Sequence, residues 1–320
     1  MTTTAQSFWF PARRNYSLLG VAIVLYLGFT SFAPTTSSAI HLEPIQLMLL
    51  RLTLTIPYLI TWVLGVYGLT LLDDYLRSKA TAGREFAPLM AGLRRGLWWV
   101  VIGLVVSAII GSLRPYFTEP ISKPVITIIT NYLYVFPLLI GVWEIFRGIE
   151  QLKAAYRKIM AQSPLSDAII KTIIILVIGA FYVFLVFTNP NRQVPQSNLI
   201  LASYYLPDWL IVLTIIVPVF VTWWLGFSVA FTLNDLLPYL SSTDYFKSLT
   251  RVMYGLWAII FSSILLQSVL SLGAARLVTI GLGALLLVLF AFILLQGFGF
   301  LLLALGIKRL RTVSAKVVAP

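Results

Sequence analysis

Residues 52–74 read LTLTIPYLITWVLGVYGLTLLDD, and residues 213–235 read LTIIVPVFVTWWLGFSVAFTLND. Aligned without a gap, the two segments agree at nine of 23 positions, and they lie 161 residues apart. The shared residues include proline, tryptophan, glycine and aspartate, which a leucine-rich composition does not match by accident. A self-match at a fixed spacing is typical of a repeated structural unit, so the sequence predicts a duplication.

Charged residues are rare and stand in short segments between long apolar runs. They make up 11% of the chain, apolar residues make up 59%, and the mean hydropathy is +0.94. Eight charge-free runs each hold at least 18 residues, enough for a helix to cross a hydrocarbon core of about 30 Å. They are residues 15–40, 52–72, 96–113, 124–143, 172–191, 209–234, 252–275 and 277–307. The predicted fold is an all-α polytopic membrane protein with eight transmembrane helices.

The net charge of +12 is distributed in the way that membrane insertion produces. If the N-terminus is cytoplasmic and the eight helices alternate, the inner segments hold 18 of the 23 lysines and arginines. This asymmetry predicts that both termini are cytoplasmic in a multi-pass protein of the cell (plasma) membrane. It favours contact with the lipid bilayer and argues against nucleic acid as a partner.

The internal match continues beyond the opening segments. The triplet Gly-Leu-Trp at 96–98 recurs at 255–257, and Gly-Ile at 148–149 recurs at 306–307, at spacings of 159 and 158 residues. Because each unit has four helices, both units enter the membrane in the same direction, and the predicted repeat is parallel. The predicted organisation is an N-terminal tail 1–13, four-helix repeats 14–160 and 168–315, a linker 161–167 and a C-terminal tail 316–320.

The repeated motif Pro-x-x-x-Thr-Trp-x-Leu-Gly supplies candidate residues for a pathway between the repeats. A proline inside a helix removes one backbone hydrogen bond, and a threonine four residues later lies on the same face. The buried polar residues of the other spans could line the same pathway. Packing within the unit is the favoured explanation of the motif, and hydrogen bonds between helices are the favoured explanation of the other polar residues. The candidates are Pro57, Thr61, Trp62, Pro218, Thr222, Trp223, Asn131, Gln267 and Gln296.

Charged residues at the ends of the helices predict structural ion pairs. Asp74 and Asp235 end the two matching helices, where a carboxylate opposes the helix dipole and needs a compensating cation. Arg94, Arg95 and Arg251 stand just before the next helices and are the predicted partners.

The sequence contains no pattern that indicates catalysis, a metal site or a cofactor. The chain has no cysteine, and its one histidine, His41, has no second histidine or acid cluster to form a metal site with. None of the eight predicted spans has an acidic, basic or histidine side chain near its centre, which disfavours ion-coupled transport. We therefore expect no bound metal and no cofactor.

Three classes of function are compatible with these patterns. The class favoured, by a narrow margin, is a transporter or channel-like protein for a neutral or apolar substrate with its site between the two repeats, because the duplication and the paired proline-containing helices suit such a site. The second is a non-catalytic membrane subunit or scaffold that binds partner proteins, a second copy, lipid or pigment, and the least favoured is a membrane enzyme. A polar cleft beside the motif threonines and tryptophans would favour transport, whereas an interface filled by side chains would favour a subunit.

Overall fold

A computed structural model of the chain describes residues 3–31, 44–77, 86–113, 116, 122–160, 217–236, 245–274 and 282–318, and five positions between 172 and 180. These residues form helices and short connections, with no strand among them. The seven long helices are α1 (Thr3–Ser31), α2 (Pro44–Arg77), α3 (Ala87–Ser112), α4 (Ser122–Met160), α5 (Val217–Leu236), α6 (Phe246–Ala274) and α7 (Leu282–Val318). The prediction of an all-helical chain is confirmed for this part of the sequence.

Four of these helices contain segments that are long and apolar enough to cross a membrane. The segments are Thr55–Arg77, Ala87–Ser112, Tyr132–Ala154 and Phe290–Leu310. This supports the prediction of a membrane protein, and the remaining predicted spans stay predictions. The fifth predicted span, 172–191, and the linker 161–167 lie almost wholly outside the described residues.

The helices extend beyond the charge-free runs from which they were predicted. Helix α1 begins at Thr3, inside the segment 1–13 that was predicted to be a tail, and α4 continues to Met160. A helix satisfies its own backbone hydrogen bonds in water as well as in lipid, so an apolar run marks a membrane crossing and not the ends of a helix.

Two antiparallel helix pairs pack backbone against backbone at glycines. In the pair α3–α4, a β-carbon on Gly141 would lie 2.7 Å from the carbonyl oxygen of Gly96. In the pair α6–α7, a β-carbon on Gly299 would lie 2.8 Å from the carbonyl oxygen of Gly255. Such small residues let helices approach closely in a membrane, where dispersion contacts replace the hydrophobic effect as the source of stability.

The six helices α2 to α7 contact one another in a closed order. Each packs against the next along the chain, and α7 returns to pack against α2, while α1 lies against α2 and α3. The largest buried side chains of the described residues join these helices into one core, which includes Trp62, Phe86, Leu97 and Phe300. This arrangement places the motif of α2 directly against α7.

Candidate functional site

The motif threonines use their hydroxyl groups inside their own helices. The Thr61 hydroxyl donates a hydrogen bond of 2.9 Å to the Pro57 carbonyl, and the Thr222 hydroxyl donates one of 2.7 Å to the Pro218 carbonyl. A bond from threonine to the carbonyl four residues earlier occupies the hydroxyl proton and tends to bend a helix. Both threonines are buried, so the two copies of the motif have the same local structure.

Helix α2 contacts α7 continuously along the face that carries Thr61. The Thr61 hydroxyl oxygen lies 3.4 Å from the Ile293 carbonyl oxygen and 3.1 Å from the position of a β-carbon on Gly297. Further along, β-carbon positions on Gly65 and Gly68 lie 3.6 and 3.7 Å from the side chains of α7. The contact therefore covers eight residues of α2, Thr61 to Gly68, or about 10 Å of helix length. At each of these positions the two helices are in contact through side chains or backbone.

The two motif tryptophans are buried in helix contacts. Trp62 is 1% exposed, and its ring centroid lies 5.2 Å from that of Tyr26 on α1. Trp223 is also buried and packs against Val135 on α4. The indole N–H of Trp62 has no hydrogen-bond partner among the described residues.

Of the other predicted polar residues, Gln296 is the one whose side chain is described. It lies on α7, is 1% exposed, and its amide nitrogen has no hydrogen-bond partner in the described part of the chain. Asn131 and Gln267 lie on α4 and α6, but their side chains fall outside the described residues. His41 also falls outside them.

The ion pairs at the helix ends involve partly different acids from those predicted. Arg94 bonds Asp73, one residue before the predicted Asp74, and Arg95 bonds Glu144 on α4 at 2.7 Å. Asp73 belongs to the face of α2 that carries Leu69 and Trp62, which is turned about 100° from Asp74. The predicted pairing of Asp235 with Arg251 is not among the described ion pairs.

Neutralising Asp73 and neutralising Glu150 should lower the free energy of unfolding by different amounts, because Asp73 is buried and Glu150 is exposed. Asp73→Asn is expected to lower the free energy of unfolding by about 2 kcal/mol, because it removes a charged hydrogen bond at a buried carboxylate. Glu150→Gln removes an exposed pair with Lys153 at 3.8 Å and should cost no more than about 0.5 kcal/mol. Equilibrium unfolding in detergent measures both values, and equal costs would contradict the assignment.

Two polar residues next to the motif were missed in the sequence. The Tyr26 ring on α1 packs against the Trp62 ring on α2, and Tyr58 on α2 packs against Phe292 and Ile293 of α7. The available signal for Tyr26 in the sequence was its position inside a charge-free run, which Trp62 shares. A single sequence does not show that α1 and α2 bring the rings of Tyr26 and Trp62 together.

The end of α1 also borders an apolar cavity of about 380 Å³, lined by residues of α1 and by Leu113 and Tyr116 after α3. The Tyr116 hydroxyl donates a 2.9 Å hydrogen bond to the Phe29 carbonyl at its rim. The described residues contain no group of three or more histidine, cysteine, aspartate or glutamate side chains that could hold a metal ion.

Comparisons with known proteins do not add to this description. No protein-family model matches the chain, and no curated protein or solved structure is significantly similar to it. Function must therefore be inferred from the geometry of the chain itself.

Proposed function

We propose that the chain consists of two four-helix units, repeated in parallel, whose eight helices cross the membrane with both termini in the cytoplasm. The contacts between helices support the repeat because they recur when the units are exchanged. The pair α3–α4 corresponds to α6–α7, and α2–α3 corresponds to α5–α6. The contact of α2 with α7 corresponds to the contact of α5 with α4.

Individual atoms follow the same correspondence. A β-carbon on Gly65 would lie 2.8 Å from a methyl group of Val101, and one on Gly226 would lie 2.7 Å from a methyl group of Ile260. Gly226 follows Gly65 by 161 residues, and Ile260 follows Val101 by 159, as the sequence alignment requires. The β-carbon position on Gly299 also lies 2.8 Å from Ile259, matching Gly141 and Val100.

One pair of residues supports the position of the axis between the units. Phe86 precedes α3 and Tyr245 precedes α6, and the two are 159 residues apart, the spacing that relates α3 to α6. Their ring centroids lie 5.3 Å apart. Two equivalent residues that touch each other must lie beside the twofold axis, so we place that axis between these rings. The end of the bundle at which α3 and α6 begin is called the Phe86 end below.

The direction of the described helices supports a further crossing between α4 and α5. Helix α4 is antiparallel to α3 and ends at the Phe86 end. The nine residues 237–245 join α5 to α6, and Gly226 of α5 contacts Ile260 of α6. If the two helices were parallel, this contact would place the end of α5 and the start of α6 too far apart for so short a link, so the helices are antiparallel. Helix α5 therefore begins at the opposite end, and the proposed eight-helix arrangement has one further crossing in the chain between 160 and 217. The charge-free run 172–191 is long enough to do so.

We infer that the protein acts as a non-catalytic membrane subunit or scaffold, in contact with the bilayer and with other membrane proteins or a second copy. The observation that carries this inference is the continuous contact of α2 with α7 from Thr61 to Gly68. A substrate pathway between the units would have to separate these two helices. Exposed apolar side chains on α1 and α7 offer surfaces to lipid or to a partner helix.

A transporter or channel-like protein for a neutral substrate is the second proposal. The observation that favours it is the pair of buried N–H donors, on Trp62 and Gln296, that lack partners among the described residues. Buried donors are normally satisfied by protein or water, so a neutral acceptor passing between the helices could use them. A plasma-membrane location is compatible with both proposals.

Replacing both motif tryptophans separates the two proposals. The variant Trp62→Phe/Trp223→Phe is expected to lower the free energy of unfolding by about 2 kcal/mol, because each change removes buried contacts. Stopped-flow light scattering of proteoliposomes should show the same permeability to water, glycerol and urea for this variant, the unaltered protein and protein-free liposomes.

The exposed tryptophans provide the matched control. Trp99→Phe/Trp143→Phe changes two side chains that are 39% and 46% exposed and should leave the unfolding free energy within about 0.5 kcal/mol. A permeability above that of empty liposomes that is lost in Trp62→Phe/Trp223→Phe would overturn the subunit proposal and establish transport.

A further inference from the structure

The two units differ most in charge at the Phe86 end. In the first unit, arginines pair with Asp73 and Glu144, and Lys153 pairs with Glu150. At the matching positions the second unit has Asn234, Leu302 and Lys308. The second unit therefore lacks three carboxylates at positions where the first unit pairs them with cations.

Among the residues whose side chains are described, four cations collect at this end of the α6–α7 pair. Lys247 and Arg251 lie near the start of α6, and Lys308 and Arg309 lie near the end of α7. The two helix ends are held together where a β-carbon on Gly306 would lie 2.8 Å from the Ser248 carbonyl oxygen. Within the described residues none of the four cations forms an ion pair with an acid.

Three of the cations lie on one side of the helix pair. On α6, Lys247 and Arg251 are four residues apart, and both are exposed. On α7, Arg309 stands three residues after Gly306, which faces α6. Lys247 and Arg251 each stand one residue before a residue of α6 that contacts Gly306, namely Ser248 or Val252. Because the two helices are antiparallel, a residue one before the contact on α6 and a residue three after it on α7 lie on the same flank of the pair. The positive end of the α6 dipole lies at the same place.

The same flank is apolar deeper in the bundle. Tyr254 follows Arg251 by three residues and is 56% exposed, while Leu305 and Phe298 precede Arg309 by four and eleven and are 41% and 53% exposed. Phe298 and Leu305 belong to the segment Phe290–Leu310, which can cross a membrane. Cations therefore lie at the end of a membrane-spanning segment, above exposed apolar side chains.

We propose that Lys247, Arg251 and Arg309 form a binding site for the phosphate headgroup of an anionic phospholipid, whose acyl chains lie along Tyr254, Phe298 and Leu305. Charge complementarity decides the occupant, because a zwitterionic lipid would leave the cations uncompensated. The site depends on the membrane location of α7 and is independent of whether the protein is a subunit or a transporter.

Native mass spectrometry of the full chain in mild detergent tests the site. Titration with dioleoylphosphatidylglycerol and with dioleoylphosphatidylcholine should show preferential binding of the anionic lipid. Each basic residue near an anionic headgroup contributes about fivefold in affinity, so Lys247→Gln/Arg251→Gln/Arg309→Gln should lose roughly a hundredfold of that preference. The charge-preserving variant Lys247→Arg/Arg251→Lys/Arg309→Lys should keep most of it.

A matched control removes exposed cations from the first unit. Arg147→Gln/Lys153→Gln alters two cations that already have acidic partners, and it should leave the lipid preference unchanged. The proposal fails if the unaltered protein does not prefer the anionic lipid, if the triple glutamine variant keeps its preference, or if the control loses as much. Displacement of the lipid by inorganic phosphate at equal concentration would show instead a site for the free anion. If the triple variant does not fold, Arg251→Gln alone should lose about fivefold.

Discussion

Replacing Gly141 with alanine is expected to lower the free energy of unfolding by about 2 kcal/mol, and Gly299→Ala is expected to do the same. The new β-carbon would lie within 2.8 Å of a carbonyl oxygen and of a branched side chain of the facing helix. Backbone atoms cannot rotate away, so the two helices must separate, and overpacking of this kind costs about 1–3 kcal/mol. The costs should add in the double variant because the two glycines lie in different helix pairs.

A glycine in open space provides the opposite expectation. Within the described part of the chain, no atom outside the backbone of α1 lies within 4 Å of a β-carbon on Gly20, which stands on an exposed face of that helix. Gly20→Ala should therefore be neutral or stabilise the protein by up to about 1 kcal/mol, through helix propensity alone. Equilibrium unfolding in detergent micelles compares the three variants. If Gly141→Ala and Gly20→Ala have the same effect, the close approach of α3 and α4 is wrong.

The helical class of the protein could be predicted from its sequence because charge-free runs and flanking cations are local properties. The length of a run indicates whether it can cross a membrane. The direction of crossing, which the arginines predict, stays a prediction. The close-packed glycines were also visible as repeated positions, such as Gly96 and Gly255. Their contact partners were not, because small residues on two helices do not specify which helices meet.

The site illustrates the same limit at the level of single residues. The motif identified Thr61 and Trp62 as buried, but the partner helix of the first, α7, and the partner ring of the second, Tyr26, depend on the order of the helices in the bundle. The ion pair of Arg94 was predicted one residue away from its acid, Asp73, because a one-residue step turns a helical side chain by about 100°. The rotation of a helix about its own axis is set by packing, which the sequence does not state.

The second large effect concerns the residues beside the proposed axis. The variant Phe86→Cys/Tyr245→Cys should form a disulfide on mild oxidation, because the side chains that the cysteines replace are in contact, with ring centroids 5.3 Å apart. The chain has no cysteine of its own, so no other pairing competes. Formation of this bond requires that both residues lie on the same side of the membrane and next to each other.

The pairing of these two cysteines in the intact membrane is the most direct test of the duplicated architecture. Two parallel four-helix units place an even number of crossings between residues 86 and 245 and predict a shift in gel mobility that reductant reverses. The matched pair Phe86→Cys/Tyr254→Cys moves the second cysteine nine residues along α6 and should remain reduced. Labelling of residues 86 and 245 from opposite sides of the membrane, without a disulfide, would contradict the parallel repeat and the axis between the two units.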